Sequence, residues 1–118
     1  MSAKTAIRDV SRTVSVLSNC AQACRRLTDP SNGVLLFSYP SKFLQLLNDC
    51  AATCDLAVLF IERKSPIVVD FLEVCEEVSL ECASECSNYN TAEFDLCTKA
   101  CESVAGVCLS YLLGKEPL

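Results

Sequence analysis

Apolar residues recur three or four positions apart along nearly the whole chain, and the places where that rhythm breaks divide it into four segments. The first carries Ile7, Val10, Val14, Leu17, Cys20, Cys24 and Leu27, and predicts a helix over about residues 2–28. Thr28-Asp29-Pro30-Ser31-Asn32-Gly33 ends it, because a proline disfavours helix in the residue before it and Asn-Gly is a turn dipeptide. The stretch 34–39 is ambiguous. A second helix, about 41–64, carries Phe43, Leu47, Cys50, Cys54, Val58 and Ile61, with Ser41 as its expected N-cap.

Ser65-Pro66 predicts the start of a third helix, about 66–88, since serine caps well and proline suits the first helical position. Its stripe is Val68, Phe71, Cys75, Val78, Cys82 and Cys86. After Asn88-Tyr89-Asn90, the pair Asn90 and Glu93 resembles a capping box opening a fourth helix, about 91–113. That helix carries Phe94, Cys97, Cys101, Val104, Cys108 and Tyr111 or Leu112, with Gly114 as the expected C-terminal cap and Pro117 beyond. No strand pattern competes with these segments. Four helices of similar length with short connections predict an all-α, up-down-up-down antiparallel four-helix bundle, a single domain over residues 1–118.

Composition changes that picture at one residue type. Ten of the 118 residues are cysteine, and eight form Cys-x-x-x-Cys pairs: Cys20/Cys24, Cys50/Cys54, Cys82/Cys86 and Cys97/Cys101. Cys75 and Cys108 each lie seven residues outside a pair. Residues four apart share a helix face, and seven is two turns, so every thiol falls on the stripe expected to face the bundle axis. With the first and third interhelical turns at one end, a rise of about 1.5 Å per residue places Cys24, Cys86 and Cys97 nearest that end. Cys20, Cys50, Cys82 and Cys101 come next, and Cys54, Cys75 and Cys108 lie deeper. The opposite end is expected to be closed by Ile7, Val10, Val14, Val58, Ile61, Val68, Phe71 and Leu112. Entry to the sulfur-lined half should therefore be at the thiol-rich end, beneath the loop of residues 29–40.

The 51% apolar fraction and mean hydropathy of +0.31 owe much to cysteine, which packs as a small hydrophobe when free. The longest uncharged stretches, around 31–41 and 103–114, fall short of the roughly 20 apolar residues that span a bilayer, so no membrane segment is expected. Charge at Lys4, Arg8 and Asp9 stands where a signal peptide would be apolar, which points to the cytosol. There thiols stay reduced, and a dense set of them signals metal or redox chemistry more than disulfides. A net charge of −5 without a basic run leaves no footprint for nucleic acid or anionic lipid.

An inward column of thiols is a soft-ligand cavity, which selects Cu(I) and, less exclusively, zinc. The chain has no histidine, and Met1 is its one thioether, so any ion in the column would bind sulfur alone. Two thiolates on one Cu(I) leave a net negative charge, whereas bridging thiolates let many ions share sulfurs and approach neutrality. Burial of unpaired charge is costly, so the column favours sulfur-bridged copper, up to on the order of ten ions per chain. All ten cysteines, Cys20, Cys24, Cys50, Cys54, Cys75, Cys82, Cys86, Cys97, Cys101 and Cys108, are candidate ligands. Catalysis is not expected, because no thiol can pair with an imidazole and Lys99 and Arg25 occupy other helix faces.

The four Cys-x-x-x-Cys pairs, with Cys75 and Cys108 in register, resemble the four-helix-bundle copper storage proteins of bacteria over nearly the whole chain. That resemblance implies copper storage or buffering, many Cu(I) ions inside the bundle, assembly as a tetramer and supply from a copper-donating chaperone. Family members often carry more cysteines, and some place His, Met or Asn near the open end. Here Asn32, Asn88 and Asn90 lie near that end and read as turn and capping residues. Two other readings stay open: a general zinc or thiol metal buffer, and a disulfide-stapled interaction module. The latter would resemble the twin Cys-x-x-x-Cys hairpins of small mitochondrial intermembrane chaperones, through Cys82/Cys86 and Cys97/Cys101.

Overall fold

A computed structural model of the chain describes residues 3–32 and 39–115. Met1, Ser2, Gly33, the stretch 34–38 and Pro117 lie outside the described residues, as do the side chains of Ile7 and Asn32. Four α-helices pack together: α1 Ala3–Thr28, α2 Ser41–Glu62, α3 Val68–Cys86 and α4 Ala92–Lys115, with a short 3-10 turn at Pro30–Asn32. Each helix packs on its two neighbours in the order α1, α2, α3, α4 and back to α1, in a body of 49 × 22 × 21 Å. Facing residues on α1 and α4 run in opposite directions, Cys20 meeting Cys101 and Cys24 meeting Cys97, as an antiparallel pair requires. The expected four-helix bundle is the observed one.

The inward stripes follow a strict alternation of four and three residues. On α2 it runs Phe43, Leu47, Cys50, Cys54, Ala57 and Ile61, and on α3 Val68, Leu72, Cys75, Ser79, Cys82 and Cys86. Thr13, Leu17, Cys20, Cys24 and Leu27 continue the pattern on α1, and Phe94, Cys97, Cys101, Val104 and Cys108 on α4; all are buried. A mean spacing of 3.5 residues keeps one seam on the axis over the helix's length, the geometry of left-handed bundles. It also corrects the expected stripes: Thr13 and Ala57, not Val14 and Val58, lie on the innermost lines of α1 and α2. Ser79 and Leu72, not Val78 and Phe71, occupy the innermost line of α3, and Val10 is 36% exposed.

Helix ends also depart from the sequence reading. Pro40, not Ser41, precedes the first residue of α2, and no side chain caps that end. Ser65 Oγ accepts the Ile67 N–H at 3.3 Å, but this closes a turn, and α3 begins two residues later at Val68. Thr91, not Asn90, caps α4, its Oγ1 accepting the Phe94 N–H at 3.2 Å. Gly114 lies within α4, which continues to Lys115. α1 closes with the Thr28 hydroxyl donating to the Cys24 and Arg25 carbonyls, and Asp29 then accepts both the N–H and the hydroxyl of Ser31.

α2 and α4 are each long and apolar enough to cross a membrane by length and composition, at mean hydropathies of 1.5 and 1.3, contrary to the expectation from uncharged stretches. That apolarity has a local source: the inward line of each helix is cysteine and aliphatic, and Leu56, Leu59, Leu96, Leu109 and Leu113 add to it from outside. A core helix of a water-facing bundle reaches the same hydropathy.

Candidate metal site

All ten cysteines are buried, free thiols, and each expected ligand position lies within the bundle. The closest contacts are Cys20–Cys101 and Cys24–Cys97, both with Sγ atoms 3.7 Å apart, Cys20–Cys50 at 3.9 Å and Cys50–Cys101 at 4.0 Å. A disulfide would bring sulfurs to about 2.05 Å, so these thiols are in non-bonded contact. The stapled-module reading finds no support in this arrangement.

Two groups of four thiols have all their sulfurs within 4.8 Å of one another: Cys20, Cys24, Cys50 and Cys101, and Cys24, Cys82, Cys97 and Cys101. They share Cys24 and Cys101, so the two groups are continuous. Cys86 adjoins them through Cys82 and Cys97, while Cys54 leads from Cys20 and Cys50 to Cys75, and Cys75 to Cys108. The depth order read from helical rise is therefore the order of contacts. The result is a column of sulfur fed by all four helices.

The column holds its protons unevenly. Cys20 is lowered from the ordinary thiol value of 9.0 to about 6, chiefly because Cys101 hydrogen-bonds to it. Cys75 is lowered to about 5, first by Cys108 and then by Cys54. Cys50 and Cys97 are also pushed down, each with Cys101 as the largest cause. Their partners move the other way: Cys101 is pushed up, first by its contact with Cys20, and Cys108 by its contact with Cys75. Each ionised sulfur thus sits beside a neighbour that keeps its proton and donates it, the usual way a buried anion is tolerated.

Sequence reasoning missed one polar member. Ser79, 1% exposed, points into the column with its Oγ 3.9 Å from Cys50 Sγ. The signal was its spacing, four residues after Cys75 and three before Cys82, which the more apolar Val78 obscured. Thr13, 4% exposed, is the other buried polar residue among those described. No carboxylate is among the buried residues described.

Beyond the outermost sulfurs, the end expected to be open carries an aromatic cluster. Tyr39, Phe43, Tyr89 and Phe94 meet with ring centroids 4.9 to 6.2 Å apart, edge-on, tilted or stacked. Leu27 is buried in the same core. Tyr39 and Tyr89 are half-buried, as core-edge residues should be, and Asn88 and Asn90 are exposed.

Comparison with known proteins agrees with this construction. A family profile described as copper storage protein matches residues 6–113. An uncharacterized cysteine-rich protein, YhjQ, of Bacillus subtilis (strain 168) is 26% identical over 92 residues, covering 78% of this chain and 85% of the relative. The solved structure of Cu(I)-bound copper storage protein BsCsp3 superposes with a TM-score of 0.79 at 24% identity, over 86% of this chain and 96% of that one. The crystal structure of the Nmul_A1745 protein from Nitrosospira multiformis gives a TM-score of 0.80 at 20% identity, over 92% of this chain and 98% of that one.

Proposed function

The chain belongs to the copper storage protein family, and from that premise we propose that it stores Cu(I) as several ions held by thiolates inside the bundle. The observation that carries this reading is the burial of all ten thiols in one contiguous column, with no other strong ligand beside them among the described residues. Soft sulfur matches Cu(I), and sulfurs in contact with two or three others can bridge ions, which removes net charge from a dry interior. Cys20, Cys24, Cys50, Cys54, Cys75, Cys82, Cys86, Cys97, Cys101 and Cys108 act as the ligands. The role is binding, with copper as cargo and no chemical turnover.

The rest of the reading follows the family. The protein works in the cytosol, where thiols stay reduced, receives copper from a copper-donating chaperone, and assembles as a homotetramer. Large apolar side chains left outside the single bundle, Leu96 and Leu113 among them, support assembly. Sizing of the purified protein against a chain mass of 12.8 kDa checks it.

Zinc is the second reading, favoured by the two four-thiol groups, because zinc takes four sulfurs tetrahedrally. A four-thiolate zinc site carries two net negative charges, however, and two such sites here would have to share Cys24 and Cys101. Anaerobic titration of the reduced chain with Cu(I), read by thiolate-to-copper absorbance and chelator competition alongside a free-thiol count, separates the two. Saturation at several Cu(I) per chain, with zinc displaced, supports copper storage. Binding that stops at one or two ions, with zinc preferred, overturns it.

A further inference from the structure

Three sulfurs in the column form a compact figure. Cys20, Cys50 and Cys101 stand at the corners of a nearly equilateral triangle with sides of 3.7, 3.9 and 4.0 Å. The point equidistant from all three lies about 2.2 Å from each sulfur, close to a metal–thiolate bond of about 2.3 Å. An ion placed there would need almost no movement of its ligands. The facing pair Cys24 and Cys97, 3.7 Å apart, would have to spread by about 1 Å to hold an ion linearly between two such bonds.

α1, α2 and α4 each supply one corner, and at the same level α3 supplies Ser79 in place of a thiol. Its hydroxyl is buried, 3.9 Å from Cys50 Sγ. An inward helix line that otherwise runs Cys75, Cys82 and Cys86 here changes to oxygen. Oxygen is a poor partner for a soft ion but a better hydrogen-bond donor than a thiol, and a donor aimed at sulfur fixes that sulfur's rotamer and favours its anionic form.

We propose that Cys20, Cys50 and Cys101 are a preformed three-sulfur seat that takes the first Cu(I) ion, and that Ser79 is its positioning residue, donating its hydroxyl proton to Cys50 Sγ. The inference rests on the copper-storage reading and adds an order of filling to it. Ligands already in place lose little freedom on binding, so the seat should fill before sites that need rearrangement.

The reduced full-length chain, given half an equivalent of Cu(I), is examined by X-ray absorption and by chelator competition, with circular dichroism to confirm folding of each variant. Three sulfurs at about 2.2 Å are expected. Cys101→Ser should reduce them to two and weaken the first ion tenfold or more, whereas Cys108→Ser, away from the triangle, should lower final capacity and leave the first ion unchanged. Ser79→Ala should keep the three-sulfur signature and weaken the first ion about threefold to tenfold, with later ions and Tm unaffected. A two-sulfur signature in the wild-type chain, or equal weakening by Cys108→Ser and Cys101→Ser, overturns the seat. An unchanged first ion in Ser79→Ala, or equal weakening of all ions, overturns the role of Ser79. Absence of thiolate–copper absorbance at any loading would instead sink the copper-storage reading itself.

Discussion

The thiols of this core are not equivalent residues, and their differences predict how the metal-free chain responds to pH. Cys20 and Cys75 titrate at about 6 and 5 in the fold against an ordinary 9.0, so their ionised forms are favoured by folding. Their contribution to stability is complete above pH 9 and is lost as pH falls through 6 and 5. Cys101 and Cys108, pushed up by Cys20 and Cys75, contribute fully below 9 and lose that contribution as pH rises beyond it. The stability of the metal-free protein should therefore climb between about pH 6 and 9, peak near 9 and fall beyond it, as denaturant midpoints would show. A midpoint that keeps rising above pH 9 would contradict the proton-sharing arrangement. Cys50 touches Cys20, Cys101 and Ser79, so Cys50→Ser should lower copper capacity by about one or two ions, with helix content intact. At this scale the ten cysteines were legible because two helical periods, four and seven, placed them on one face. Ser79 was not, because polarity was taken as a mark of the surface, and only the 3.5-residue seam shows that position 79 must lie inside.

Helix termini show a different balance between sequence and structure. The positions of all four helices were readable to within a few residues, since Pro, Asn and Ser clusters leave few places for a helix to end. The capping side chains were not, because several neighbouring residues could serve and the register of the bundle decides among them. Thr91 serves where Asn90 was expected, and Thr91→Ala should cost about 1 kcal/mol, measurable as a lowered urea midpoint. At the other end of the bundle α2 stops in a Schellman motif. The Ser65 N–H bonds the Phe60 carbonyl at 2.9 Å and the Lys64 N–H bonds the Ile61 carbonyl at 3.0 Å, with Lys64 in the left-handed region at φ 54. A lysine there carries a Cβ that the conformation disfavours, so Lys64→Gly should raise stability by about 1 kcal/mol. Destabilisation by that change would mean that the lysine side chain has a role at the turn that outweighs its backbone strain. Gly114 misled for the converse reason: glycine suits a helix end but does not compel one, and α4 continues to Lys115.

Across the whole molecule the question is how an ion reaches sulfurs that are all enclosed. The column is displaced toward the end bearing the first and third interhelical turns. Phe94 lies one helical turn from Cys97 and Tyr89 three residues beyond Cys86, so among the described residues the aromatic cluster forms a thin layer over the outermost thiols. At the other end, Ile61 and Val68 are buried beyond the innermost thiols, and Phe60 and Phe71 pack edge to face with centroids 5.1 Å apart. The shorter path for copper therefore runs past Tyr39, Phe43, Tyr89 and Phe94. Two of these rings, Tyr39 and Tyr89, are only half-buried, and ring faces attract a passing cation. Removal of a ring here should change rates rather than capacity. Tyr89→Ala should leave the number of Cu(I) ions at saturation unchanged while speeding their removal by an excess of chelator several-fold. Phe71→Ala, an equivalent truncation at the far end, should leave that rate alone. Both are read by stopped-flow loss of thiolate-to-copper absorbance, with circular dichroism confirming that each bundle is folded. Acceleration by Phe71→Ala but not Tyr89→Ala would move the mouth to the far end and make the aromatic cluster its floor.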